Sequence, residues 1–363
     1  MMSFTILDRY LAKRYLAMLG VVFLAVAAVL FIFDFIELTR IGAAKGVAME
    51  IVLFMTLQKV PLHMQKIAGF LVMIAAMLTL MKAARDNEII IMRVMGISTV
   101  RSVFSISCVS LVLGVVYMSV FNPMAAALIE VYERNEARYL KGSPSVIALS
   151  KNGIWLKNEQ EDGHIIMHAM RLVSATQTLH DVVFYYFDSD AEFTRRYDAP
   201  TAVYSGRVWQ LSDAILNERN AVNQEVGDVT IPAHFSFLQI QENLTLPDSL
   251  SFWKLPHFIS VAEEYGLSVK KHKLHFYKLL MAPIFFLALA LIGAVFAKRF
   301  VRFHSLYRNI FYCLGLGFVL YFVSDMMAAF AIAGELDVVV GALAPVIISL
   351  LVASALFLQE KVV

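Results

Sequence analysis

Charge is scarce in this chain. Asp, Glu, Lys and Arg make up 17% of its 363 residues, while 59% are hydrophobic; a soluble domain carries about 25% charged residues. Cysteine is scarcer still. Cys108 and Cys313 are the two present, both inside apolar blocks, so no disulfide framework staples the polar middle of the chain, which needs a core of its own. No stretch reads G-x-x-x-x-G-K-[ST], H-E-x-x-H or G-x-S-x-G, which removes the usual phosphate loop, zinc-protease helix and nucleophile elbow. His164 and His168 share one face of a predicted strand, but without further ligands nearby they read as a polar strand face rather than a metal pair. "KKHKLH" at 270–275 reads as a basic collar at lipid headgroups. The net charge of +2 offers no nucleic-acid footprint. The first apolar block is too long for a signal-peptide core and has no small-residue cleavage site, so it reads as a retained anchor. The pattern is that of a non-enzyme with no cofactor and no metal.

What the chain has in place of charge is apolar length, with a mean hydropathy of +0.68. Charge-free runs cover 17–33, 67–81, 102–121, 279–297 and 338–358, and a sixth run at 310–333 is interrupted only by Asp325. A bilayer core takes about 20 helical residues, so six spans are predicted. The stretch "MEIVLFMTLQKVPLHMQ" before the second reads as an interfacial helix that breaks near Pro61. Lys and Arg concentrate at 9–14, 82–101 and 298–308 and at Lys361, and thin out in the opposite short loops. By the positive-inside rule both termini are predicted cytoplasmic and the central region lies across the membrane.

That centre reads as all-β. Asn152-Gly153 and Asp162-Gly163 each stand between short apolar runs, and Ser205-Gly206 divides "TAVY" from "VWQLS". Such dipeptides supply the positive φ of tight hairpin turns. The expected architecture is an α-helical membrane protein of six transmembrane helices, three plus three, with an all-β, jelly-roll-like domain between helices three and four. Its boundaries are 1–124 for the first half, 125–273 for the β-domain with its connectors, and 274–363 for the second half.

Between spans two and three lies "KAARDNEIIIMRVMGIS", too short to cross a bilayer. Taken alone it is either a spacer holding two spans apart or a lever on the cytoplasmic face. "LDRYLAKRYL", "KVPLHMQ", "ARDNEIIIMRVMGIS", "NGIWLKN" and "VWQLSDA", in this order and within this layout, resemble the lipopolysaccharide-export permeases of the LptF/LptG family, and the β-domain stretches lean toward its LptG branch. The resemblance covers essentially the whole chain.

It implies an inner-membrane permease that extracts lipopolysaccharide from the outer leaflet and hands it toward the outer membrane. The implied partners are a paralogous LptF-type permease, a cytoplasmic LptB-type ATPase dimer, a single-span LptC-type jelly-roll protein and a periplasmic LptA-type bridge. It also implies that residues 84–96 form a coupling helix. There Glu88 would dock in the ATPase, Ile89, Ile90, Met92 and Met95 would give apolar contact, Arg85 and Arg93 would pair with acidic groups, and Gly96 would end the helix. Permeases of the lipoprotein-release type place their external domain after the first span, whereas here it follows the third. A non-transport envelope scaffold would have no use for such a lever.

Two carboxylates lie deep in apolar sequence, Asp34 and Asp325. Intramembrane acids face a cavity or pair with a cation, and spans one and five are lateral gates in the resembling family. Each acid either belongs to that path or marks a helix end. Some family members carry a basic residue where this chain has Asp34. Arg40, Arg134, Arg138 and Lys141 fall just outside spans one and three, where lipid phosphates would be met. In the β-domain Ile154, Leu156, Val208 and Trp209 are predicted on the apolar face, as core or as acyl-chain lining.

Overall fold

A computed structural model of the chain describes residues 6–96, 99–141, 146–150, 153–160, 163–173, 176–189, 192–206, 208–218, 224–232, 246–264, 268–303 and 306–361. Among them, six helical segments are long and apolar enough to cross a membrane. The first half comprises α1 (Ile6–Ala44), α2 (Met49–Arg85), the short α3 (Glu88–Val94) and α4 (Thr99–Val116). A π-helical turn (Tyr117–Phe121) carries α4 into α5 (Asn122–Asn135), and a second one (Glu136–Lys141) leads out of the bundle. After the strands come α6 (Leu255–Glu264), α7 (Lys270–Phe303), α8 (Leu306–Ala333) and α9 (Val338–Lys361). At 39 residues α1 is about 58 Å long, well beyond the ~30 Å hydrocarbon core.

Helix α2 corrects one expectation. It runs unbroken through Pro61 where an interfacial break was predicted. Proline removes a single backbone hydrogen bond, and here both flanks are held by packing: Met55 and Thr56 are buried on one side, Met64 and Gln65 on the other. Membrane helices tolerate proline when neighbours compensate.

The bundle is centred on α2, α4 and α7. Met73, Met77, Leu80, Ile106, Ile292 and Cys313 are almost wholly buried in one cluster. Glycine sets its closest approaches. A Cβ on Gly293 would stand 2.2 Å from the Met73 carbonyl oxygen, and one on Gly114 would stand 2.3 Å from the Pro283 Cα. Backbones therefore meet directly, as small-residue packing in membranes allows. Both cysteines are free thiols.

The middle of the chain forms one antiparallel sheet of seven strands in sequence order: β1 (Val146–Ser150), β2 (Gly153–Gln160), β3 (Gly163–Val173), β4 (Thr178–Phe187), β5 (Phe193–Tyr204), β6 (Val208–Glu218) and β7 (Gln224–Pro232). The all-β domain is as expected. Its described strands connect as a meander, without the crossing connections of a Greek-key jelly roll. Gly153 pairs with Ser150 and Gly163 with Gln160, so each glycine opens a strand; Asn152 and Asp162 lie outside the described residues. A side chain at Gly163, at φ +140°, would run into the Phe187 carbonyl.

Ile154, Leu156, Met167, Phe184, Trp209 and Leu211 face one side and are buried there, with Ile259 and Ala262 of α6 laid over them. Asp181 and Asp213 adopt positive φ, at 51° and 50°, in a region that Asp tolerates better than most residues. Each resets the two-residue alternation, so that Leu179 and Val182, like Leu211 and Ala214, all point inward. The chain leaving the sheet is fastened to the third span. The Phe252 amide donates to Asn122 Oδ1 at 2.7 Å, and Trp253 Nε1 donates to the Ser119 carbonyl at 3.2 Å.

Candidate functional site

Three places along the membrane bundle combine charge with apolar surroundings. The first is the loop from α2 to α4. Asn87 at φ +58° turns the chain, and α3 then occupies seven residues. Gly96 at φ +77° follows it, in the left-handed conformation of a helix-ending glycine. Two of the contact residues expected from the sequence point the other way: Ile89 and Met92 are 4% and 6% exposed, so they hold α3 against its own chain. The outward apolar ridge is Ile90, Ile91, Val94 and Met95, which are 53–84% exposed. A helix of two turns gives too few repeats to fix its inward face from sequence. Arg85 is exposed at the end of α2, and the side chain of Arg93 lies outside the described residues.

Glu88 is engaged within the chain. The Tyr10 hydroxyl donates to its Oε1 at 3.0 Å, and the Arg14 guanidinium pairs with both Glu88 and Asp86. One step earlier on α1, Asp8 accepts from the Ser105 hydroxyl and lies 3.3 Å from Arg101 Nη2. The sequence offered no signal for these pairs, because the residues stand 72 to 97 positions apart.

The second place is the far end of α1. Asp34 is buried; Lys59 Nζ approaches it at 2.8 Å and His63 Nε2 at 3.2 Å. Lys59 also lies 3.6 Å from Glu37. Asp34 therefore joins α1 to α2 and already has a cation of its own chain beside it. Nearby, Lys45 donates to the Leu140 carbonyl, tying the end of α1 to the exit of the third span. Arg40, Arg134 and Arg138 are all exposed; Arg134 stands 3.8 Å from Glu130, and Arg138 lies 5.5 Å from the centre of the Tyr139 ring. The side chain of Lys141 is outside the described residues.

The third place is a cavity of about 400 Å³ between α2, α7, α8 and α9. Its walls are apolar, with Phe70, Phe285, Phe286, Leu289 and Leu320; its rim carries Lys66, Asp248, His275, Lys278 and Asp325. The rim lies toward the sheet, since α7 enters the bundle from there with His275 and Lys278 near its start. Asp248 stands 3.6 Å from Lys66 and 3.5 Å from His275. Gln65 Oε1 and His275 Nε2 are buried at this cavity without a hydrogen-bond partner among the described residues. So Asp325, unlike Asp34, opens on a space. The volume and the greasy wall with a few convergent polar groups are those of a ligand pocket. The predicted basic collar at 270–275 is partly turned inward as well: His272 packs 4.7 Å from the Phe258 ring, and Lys273 pairs with Glu263 at 2.5 Å.

In the sheet, Ile154, Leu156 and Trp209 are at most 2% exposed and fill the core, whereas Val208, half-buried and next to Trp209 on β6, falls on the opposite face and corrects its expected place. His168 packs tilted against Trp155 at 4.2 Å and His164 stacks on Phe187 at 4.6 Å. No cluster of three or more His, Cys, Asp or Glu suited to a metal occurs among the described residues.

The chain is 24% identical over 351 residues to the lipopolysaccharide export system permease protein LptG of Haemophilus influenzae, an alignment covering 93% of this chain and 94% of that protein. The family described as lipopolysaccharide export system permease LptF/LptG matches residues 9–359, from the first turn of α1 to the last of α9. Six membrane helices with a β-sheet inserted between the third and fourth are thus the frame of a known transport subunit, and the chain belongs to the LptF/LptG family of lipopolysaccharide export permeases.

Proposed function

We propose that this chain is the permease subunit of an ABC transporter that lifts lipopolysaccharide from the outer leaflet of the inner membrane and passes it by way of the β-domain to a periplasmic bridge. ATP hydrolysis resides on a separate cytoplasmic ATPase dimer of the LptB type, gripped through α3. An LptF-type paralogue completes the membrane body, and LptC-type and LptA-type proteins continue the path. Both termini are cytoplasmic and the sheet is periplasmic, in keeping with the Lys and Arg bias. The halves 1–124 and 274–363 then flank a periplasmic unit, 125–273. Asp325 and the cavity rim, with Arg40, Arg134, Arg138 and Lys141 outside the spans, are the groups offered to the lipid's phosphates and sugars.

The observation that carries this reading is the ridge on α3. Ile90, Ile91, Val94 and Met95 stand exposed on a helix too short to cross a membrane, beside Arg85 and Glu88 at its base. An apolar ridge rimmed by charge is a protein-docking surface. Val94, 84% exposed, can be changed without disturbing the bundle. Val94→Asp is expected to lower the ATPase recovered with the tagged chain by about tenfold or more, the scale of a central interface residue. Undiminished recovery sinks the docking role of α3.

A further inference from the structure

Helix α1 is packed unlike the other spans. Its buried residues are Asp8, Leu11 and Tyr15 at one end and Asp34, Leu38 and Gly42 at the other. Through 16–33 none is buried, and Val21, Leu24, Val29, Ile32 and Phe33 are all more than half exposed. So the chain holds this helix chiefly by its ends, and charge takes part at both. At the outer end Asp34 meets Lys59 and His63 of α2. At the inner end Asp8 meets Ser105 and Arg101 of α4 and Tyr15 packs into the bundle core, and a further hold is on the α3 loop. Arg14, with 14% of its side chain exposed, spans Asp86 and Glu88. It also donates to the Tyr10 hydroxyl at 3.1 Å, which in turn donates to Glu88.

We propose that Arg14, oriented by Tyr10, is a positioning residue that passes displacement of α3 into span one. A guanidinium is a planar fork able to hold two carboxylates in fixed directions, which a lysine ammonium is not. A push on α3 therefore moves Asp86 and Glu88 together and draws the base of α1 with them. Above that base no residue of the helix is itself buried until Asp34, its lighter contacts being Leu19 against the bundle core and Phe23 edge-on to Phe121, so the movement is delivered along 16–33 and turns about the Asp34–Lys59–His63 cluster. Coupling of this kind requires a contiguous element with two arrangements that both sites bias. This inference rests on the reading that α3 receives motion from a separate ATPase, and it adds the route by which that motion reaches the lipid-facing side.

The test uses the chain assembled with its ATPase and permease partners in lipid nanodiscs, with both native cysteines replaced by serine. Spin labels are placed at Gly20→Cys on α1, where a Cβ meets nothing within 4 Å, and at Val112→Cys on α4, which is 59% exposed. In the otherwise unaltered chain, ATP is expected to change the label distance. In Arg14→Gln that change is expected to vanish and lipopolysaccharide release to fall about tenfold or more, while ATP hydrolysis stays within about twofold. Arg14→Asp with Asp86→Arg restores both readouts, and Arg14→Lys restores them in part. An ATP-driven distance change that persists in Arg14→Gln overturns the proposal. So does a collapse of hydrolysis in that variant, which would make Arg14 a prop for the docking helix and no more. Absence of any stimulated hydrolysis in the unaltered chain is a different failure, since it removes the motor reading itself.

Discussion

Spans one and four lie in the same bundle and are built on opposite principles. Helix α7 is sunk among its neighbours: Gly293 brings its backbone against the Met73 carbonyl, and Leu289, Ala290, Ile292 and Ala294 are buried along its length. Helix α1 is as apolar, yet no residue of its middle, 16–33, is buried and ion pairs hold its two ends. Apolar sequence inside a membrane carries no hydrophobic drive toward other helices, because lipid tails are equally apolar. Close fit therefore decides which helices form a rigid frame, and charge decides where an ill-fitted one is attached. One helix is frame and the other is limb.

Three experiments press on that contrast, beginning with the largest effect. Gly293→Leu would drive a side chain into the α2 backbone, and it is expected to cost more than about 3 kcal/mol, read as loss of monodisperse protein on size exclusion in mild detergent. Gly20→Leu on α1, where the space is open, serves as its control and should leave the elution profile unchanged. Lys59→Ala comes next. It leaves Asp34 buried with His63 alone, and thermal unfolding in detergent should register a loss of about 2 kcal/mol, smaller than the ~3–5 kcal/mol of a fully orphaned buried charge. Replacing Asp34 and Lys59 together by leucine should recover most of that loss. If it does not, the pair contributes more than mutual neutralisation. The smallest effect belongs to Phe33→Ala, expected to shift the stability of the isolated chain by no more than about 0.5 kcal/mol. A loss comparable to that of a core truncation would show that the middle of α1 is packed after all.

Much of this frame could be read from the sequence. Six apolar runs and the hairpin glycines are local signals, and local signals survive without a structure. Gly96 was legible for the same reason, as a helix-ending residue after a short amphiphilic stretch. The inward face of α3 was not, because two turns of helix hold too few positions for a periodicity to emerge, and so Ile89 and Met92 were assigned to the wrong side. Asp34 was visible as an expensive residue, but its neutralisation depended on Lys59 from another helix. Pro61 looked like a break because proline's local cost is plain in sequence and the packing on either side of it is not. The cavity was the least legible feature. Its rim gathers Lys66, Asp248, His275 and Asp325 from four separate segments; of these only Asp325 stood out beforehand as a candidate for the lipid path, and His275 was read as part of a headgroup collar.

The two attachments of the exit chain, at Asn122 and at Ser119, fall on the same post from which the strands depart: the third span supplies both the way in and the clamp on the way out. The exit chain then runs through α6, which lies on the sheet's core, into α7, where Leu279 packs with Phe252 and Leu255. The sheet is thus moored to two membrane helices, and movement of the third span relative to the fourth would be felt where the strands begin and end.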